Sequence, residues 1–140
     1  MRKEEEMKVT LHDNKDAPNL QKLKDAFEVS EEDIIIAYGD KIYSPNKQIT
    51  HDLLVHEMVH CERQGYNERS AERWWERYME DKEFRLNEEI LAYKQQYLYC
   101  CRVYTDRNRR HKILYALAKE LAHERYGKLC TNSKAMDYLK

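Results

Sequence analysis

The chain has 140 residues, enough to bury one hydrophobic core and too few for two, so residues 1–140 are read as a single domain. Charged residues make up 36% of it at a net charge of −1, which leaves no overall field to draw it to nucleic acid or to a bilayer. No apolar run approaches the ~20 residues of a membrane span, and residues 1–7 (MRKEEEM) lack the apolar stretch of a secretory signal, so a cytoplasmic protein is expected. The charge is unevenly spread. Residues 1–101 hold 15 Lys/Arg against 22 Asp/Glu, net −7, and residues 102–140 hold 10 against 4, net +6; such an asymmetry marks a partner surface or ties the two halves together, and the second is expected. Cys61, Cys100, Cys101 and Cys130 include no C-x-x-C pair and are read as reduced, buried apolar filler.

With three glycines and two prolines, the chain favours long helices and few turns. Residues 7–11 alternate as a first strand does. Residues 19–29 place Leu20, Leu23, Ala26 and Phe27 at the spacing of an amphipathic helix. Residues 34–38 (IIIAY) and 41–43 (KIY) flank Gly39-Asp40 as a β-hairpin, closed by Ser44-Pro45-Asn46. From Thr50 on the pattern is helical. Thr50 is a fair N-cap and Gly65 a fair terminator of the first long helix. Further helices are expected over 68–80, 86–104 and 107–126, with a short one after Thr131. The predicted fold class is α+β: a small N-terminal sheet (strand, helix, β-hairpin) packed on a mostly helical half. The residues before position 50 are expected to build that sheet rather than a pro-segment.

The first long helix contains His56-Glu57-Met58-Val59-His60, an HExxH pattern. Side chains four apart lie on one helical face, so both imidazoles can reach one metal ion, while Glu57 projects about 100° round and suits a general base. A catalytic zinc uses three protein ligands and leaves a fourth position open. The HExxHxxGxxH continuation is ruled out, since positions 63 and 66 are Arg63 and Tyr66. Acidic candidates stand 28–29 residues past His60: Glu88 and Glu89, the latter in an E-x-x-A frame with the small Ala92 one turn on.

Here the chain resembles the gluzincin branch of the zincin metallopeptidases, and more narrowly the compact single-domain enzymes of bacteria and their phages. The matching residues are Ile42-Tyr43, His56 to His60, Trp74-Trp75 and Glu89-x-x-Ala92-Tyr93, spread over about residues 34–100. The resemblance implies zinc held by His56, His60 and Glu89, with Glu88 as the alternative third ligand, because Asn-Glu opens the corresponding element in many gluzincins. It implies hydrolysis of peptide bonds in a peptide or protein substrate by a metal-activated water, with Glu57 as general base. It also implies that the strand at 41–43, through Ile42 and Tyr43, pairs with extended substrate at an exposed sheet edge. Tyr93 stands where an ExxxD frame would put an aspartate to orient a histidine, so another group must do that. Tyr93, Tyr97 and His111 are the candidates for stabilising the oxyanion.

Two other readings are carried. One is a non-catalytic module stapled by zinc, against which Glu57 argues, because a structural site needs no base and closes with a fourth ligand. The other is a nucleic-acid adaptor using the basic run 107–112. That run lacks interleaved aromatics and reads first as a solvated helix start.

Overall fold

A computed structural model provides the structure, which describes residues 9–27 and 29–140. Its strands are β1 (Thr10–Asp13), β2 (Ile36–Tyr38) and β3 (Lys41–Ser44). Its helices are α1 (Leu20–Phe27), α2 (His51–Arg63), α3 (Glu68–Glu80), α4 (Lys82–Val103), α5 (Arg107–Leu121) and α6 (Asn132–Leu139). The fold is α+β, with the small sheet at the N-terminal end of a helical body. No described helix is long and apolar enough to cross a membrane. The strand expected over 7–11 lies at Thr10–Asp13, and Met7 and Lys8 fall outside the described residues, as does Glu28 in the helix expected over 19–29.

The sheet order is β1-β3-β2, with β1 parallel and β2 antiparallel to β3. Side chains alternate across it, as the period of two requires. Ile36 and Tyr43 face Trp74, Trp75 and Tyr78 of α3 and Leu23 of α1. Ala37 and Ile42 face Cys61, Leu54 and Met58 of α2. The hairpin turns at Gly39-Asp40, and Gly39 is required there: its φ is +68°, and a Cβ would lie 3.0 Å from the Glu68 amide nitrogen. β3 leaves the sheet at Pro45, so Ile34 and Ile35 have no partner strand and lead into β2 as irregular chain. Asn14, buried, holds that lead-in by donating from Nδ2 to the carbonyls of Glu31 (2.6 Å) and Ile34 (3.1 Å).

Because β3 is central, both its edges are occupied. This corrects the expectation that 41–43 is an exposed edge: Ile42 and Tyr43 are buried between strands and helices and offer no backbone to an extended substrate.

The helices are delimited by their caps. Asn67 accepts from the Arg69 and Ser70 amides at the start of α3. Asp81 ends α3 and caps α4 through the Phe84 amide, which makes that junction one residue long. Gly65, at φ +70°, follows the end of α2 as expected. Thr50 precedes α2, but its hydroxyl donates to Asp52 Oδ1 at 2.6 Å instead of accepting from the helix amides. The helix expected over 107–126 stops at Leu121, and Glu124–Tyr126 forms a separate 3₁₀ turn closed by Gly127 at φ +91°. Tyr93, Leu114, Leu117, Ala118, Leu121, Ala135 and Leu139 make the core of the helical half. Cys61 and Cys100 are buried filler, whereas Cys101 and Cys130 are partly exposed, and all four are free.

Among the described residues no close ion pair joins the halves 1–101 and 102–140, and the attraction of Arg125 for Glu57 acts across them at longer range. They are held by that apolar core and by buried Arg85, which donates from Nε to the Tyr126 carbonyl (2.9 Å) and from Nη1 to the Tyr78 carbonyl (2.6 Å). In the basic run, Arg110 donates to the carbonyls of Tyr104 and Cys101, both at 2.7 Å, and Arg109 lies over the Tyr104 ring. These two arginines join α4 to α5, and the rest of the run is exposed.

Candidate metal centre

α2 and α4 make the most extensive helix contact in the fold, and the candidate site lies between them. One turn of α2 separates His56 from His60, and their rings stand 5.0 Å apart, nearly perpendicular. α4 approaches closely because fully buried Ala92 offers only a methyl group, and this brings Glu89 between the two imidazoles. His56 Nε2 is 3.1 Å from Glu89 Oε1, and His60 Nε2 is 3.2 Å from Glu89 Oε2. The candidate ligand atoms of His56, His60 and Glu89 all lie within 4.8 Å of one another, and each residue is 3% exposed.

Glu88 is one step round the helix and lies elsewhere. It accepts from Arg63 Nε and Nη2 (3.1 and 3.0 Å) and from Trp74 Nε1 (2.8 Å), so its carboxylate is consumed by an ion pair at the end of α2. The geometry therefore brings Glu89, and not Glu88, to the histidines.

Gln96 is the group that orients His56. It sits two turns beyond Glu89 on the same face of α4, and its Oε1 is 3.0 Å from His56 Nδ1. Its Nε2 donates to Asp52 Oδ2 at 2.8 Å. Burial acts to raise the Asp52 pKa, but bonds from Thr50, Gln96 and backbone amides outweigh it and hold the group below the usual carboxylate range. Ionised Asp52 can only accept, so the amide nitrogen of Gln96 must face it and the oxygen must face His56. Nδ1 of His56 then carries a proton, and Nε2 faces Glu89 with its lone pair when the ring is neutral or as a donor when the ring is protonated. Two acceptors 3.1 Å apart require a cation or a shared proton between them. A tetrahedral zinc with bonds of about 2.0 Å sets its ligand atoms roughly 3.3 Å apart, close to the spacings found. Nδ1 of His60 is buried with no partner, so the second histidine has no comparable pin.

Tyr78 donates to Glu89 Oε2 at 2.6 Å. Burial and the Glu89 charge push the Tyr78 hydroxyl far above its ordinary pKa, so it remains a neutral donor. Burial also acts to raise Glu89, but the charges and hydrogen bonds of His60 and His56 prevail and hold it well below the usual range. Glu57 lies beside the cluster, its Oε2 3.8 Å from His56 Nε2. Burial pushes it up to about 8, with Glu89 adding to the rise and His56 opposing it.

A cleft of about 330 Å³ opens onto His56 and Glu57. Leu23, Phe27, Val29, Ile34, Ile35 and Trp75 form one apolar part of its wall; Tyr93, Glu120, Arg125 and Tyr126 also line it. The Tyr93 ring packs edge-on to His56 at 4.4 Å, and its hydroxyl bonds that of Tyr126 at 2.7 Å. Of the three oxyanion candidates, only Tyr93 lines this cleft; Tyr97 packs in the helical core and His111 is exposed on α5. Trp74 packs on His60 and Tyr78, and Trp75 forms cleft wall.

Comparison with known proteins adds no relative. No family model matches the chain, and no curated protein or solved structure does. The chemistry of the site rests on its own geometry. That geometry also involves residues the pattern reading passed over. Asp52 is one helical turn before His56 and Gln96 two turns after Glu89, so face periodicity could have found both. Arg125 and Tyr126 come from a distant turn and carry no such local signal.

Proposed function

We propose that this chain is a zinc-dependent metallopeptidase of the gluzincin kind, hydrolysing peptide bonds, with His56, His60 and Glu89 as metal ligands and Glu57 as general base. The observation that supports this reading is the convergence of the three ligand groups within 4.8 Å, with Glu57 beside them at the floor of a cleft. When bound, zinc supplies Lewis-acid chemistry to a scissile carbonyl and an attacking water. The charge of a bound cation would favour the ionised form of Glu57, which would then take the proton of that water on its carboxylate and hand it to the leaving amine. Gln96 and Asp52 hold the His56 ring in the tautomer that leaves Nε2 free, and Tyr78 holds one oxygen of Glu89. The apolar part of the wall lowers the polarity around the reacting groups, which strengthens electrostatic interactions there.

The test is metal content by mass spectrometry, with peptide hydrolysis in parallel, on wild type, Glu57→Gln, Glu88→Gln and Glu89→Gln. The expected result is about one zinc per chain in wild type, Glu57→Gln and Glu88→Gln, and loss of zinc in Glu89→Gln. Glu57→Gln should retain zinc and lose hydrolysis by a factor on the order of 10²–10⁴. Zinc-free wild type from metal-replete expression would overturn the proposal. Zinc without hydrolysis in wild type would select the stapled, non-catalytic module instead.

A further inference from the structure

Peptidase clefts commonly hold a substrate by adding it as a strand to an open sheet edge. This sheet offers little such edge beside the candidate site. β3 is enclosed on both sides, and the outward carbonyl of Ala37 on β2 already accepts from Trp75 Nε1 (2.9 Å) and Gln64 Nε2 (3.1 Å). The cleft is bordered instead by irregular backbone at Val29, Ile34 and Ile35. The cleft itself, at about 330 Å³, is at the small end of the ~300–1,000 Å³ of ligand sites. It suits a residue or two rather than an extended segment.

Its lining mixes apolar side chains with polar ones; the charged ones are the carboxylates Asp33, Glu57 and Glu120 and, as the one Lys or Arg among the described lining residues, Arg125. Arg125 is delivered by the 3₁₀ turn Glu124–Tyr126, which is fixed at both backbone and side chain: Arg85 binds the Tyr126 carbonyl, and Tyr93 binds the Tyr126 hydroxyl. Gly127 closes the turn against Arg85, where a Cβ would come within 3.2 Å of Nη2. Arg125 pairs with Glu120, which is nearly half exposed, and lies beside the hydroxyls of Tyr93 and Tyr126. An exposed pair of this kind contributes about 0–1 kcal/mol, which does not account for a turn held so firmly at the cleft. The guanidinium keeps donors in excess of one carboxylate, in the planar fork that binds a second one in bidentate fashion. It lies at the hydroxyl of Tyr93, whose ring packs edge-on to His56 at 4.4 Å, so the Tyr93 side chain separates it from the candidate metal ligands.

We infer that Arg125 binds the free α-carboxylate of a peptide, so that the site acts on the last peptide bond of a chain with an apolar C-terminal residue. This rests on the hydrolase reading above. In the step, water adds across the terminal amide: its oxygen bonds to the acyl carbon, the C–N bond breaks, and the proton goes to the amine of the released amino acid.

The test compares acetyl-Ala-Ala-Phe with its C-terminal amide on zinc-loaded wild type, Arg125→Lys and Arg125→Met. The expected result is that wild type cleaves the acid about 10–100-fold better in kcat/KM than the amide, the range of a charge-assisted pair. Arg125→Met should lose that ratio with zinc content unchanged, and Arg125→Lys should keep part of it. Equal cleavage of acid and amide by wild type, or a ratio that survives Arg125→Met, overturns the inference while leaving the hydrolase reading intact. If neither peptide is cut although zinc is bound, the hydrolase reading fails and binding decides about Arg125. N-acetylphenylalanine binding more tightly than its amide to wild type, but not to Arg125→Met, retains the carboxylate site; equal binding removes it.

Discussion

Gln96 and Asp52 are the residues whose roles follow most directly from hydrogen-bond chemistry. Neither touches the space between the ligands, yet together they decide which nitrogen of His56 is available. Gln96→Leu, which preserves volume and removes the acceptor, is expected to weaken zinc binding by about 10–100-fold, the usual cost of losing such an outer partner. Asp52→Asn should cost less, because the Gln96 amide then has no fixed orientation but can still accept from Nδ1. Competition with a chromophoric chelator reads both affinities, and the ¹⁵N shifts of His56 read the tautomer. Unchanged affinity together with an unchanged Nδ1–H signal in Gln96→Leu would rule the relay out. Tyr78 acts on Glu89, another of the candidate ligands: a neutral hydroxyl on Oε2 stabilises the ionised carboxylate without bringing a competing charge.

At the scale of elements, the site depends on a hairpin and two helices held at short range. The Gly39 turn packs against the first residues of α3, the helix that carries Trp74, Trp75 and Tyr78 to the centre. Gly39→Ala places a side chain in a left-handed conformation and 3.0 Å from a backbone nitrogen. It is expected to destabilise the fold by about 1–3 kcal/mol, the range for a strained backbone site. Urea denaturation measures this, and a midpoint within error of wild type would show that the turn is freer than its packing implies. The hairpin, the span of α3 and the start of α5 were legible because Gly-Asp, Asn67 and Asp106 are local signals that act within a few residues. The end of α5 was not. Leu121 and the residues after it continue the helical pattern, and the separate turn is held by contacts from 41 and 33 residues away, Arg85 on the Tyr126 carbonyl and Tyr93 on its hydroxyl, together with the His123 cap and Gly127.

For the whole molecule, the candidate metal centre and the core are one structure. The three candidate ligands stand on α2 and α4, whose contact is the largest in the fold, and all three are almost inaccessible to solvent. Zinc at 100 times its dissociation constant should add roughly 2.7 kcal/mol of stability. For a domain of this size that is about 10 °C in Tm. Calorimetry of the zinc-loaded protein before and after chelation checks it; coincident transitions would mean that the ion, if bound, is not coupled to folding. The charge asymmetry of the two halves has a different meaning from the one composition suggests. Its close ion pairs stay within each half, and long-range cohesion comes chiefly from Arg85, Tyr126 and apolar packing.

The amino-acid sequence by itself determined the α+β class, the hairpin, and the placing of His56 and His60 on one helical face, because all of these follow from periodicities of two and 3.6 residues and from local turn chemistry. Tertiary structure alone decided the rest. The neighbouring carboxylates Glu88 and Glu89 are equivalent in a sequence, and which one meets the histidines depends on how α4 is rotated against α2 and on Arg63 and Trp74 claiming the other. Likewise 41–43 reads as half of a two-stranded hairpin until β1 pairs with its other side and makes it the centre of the sheet. Pairing between distant segments has no local signature, and that is why the enclosed strand, the choice of Glu89 over Glu88 and the Arg125 turn appear only once the chain is folded.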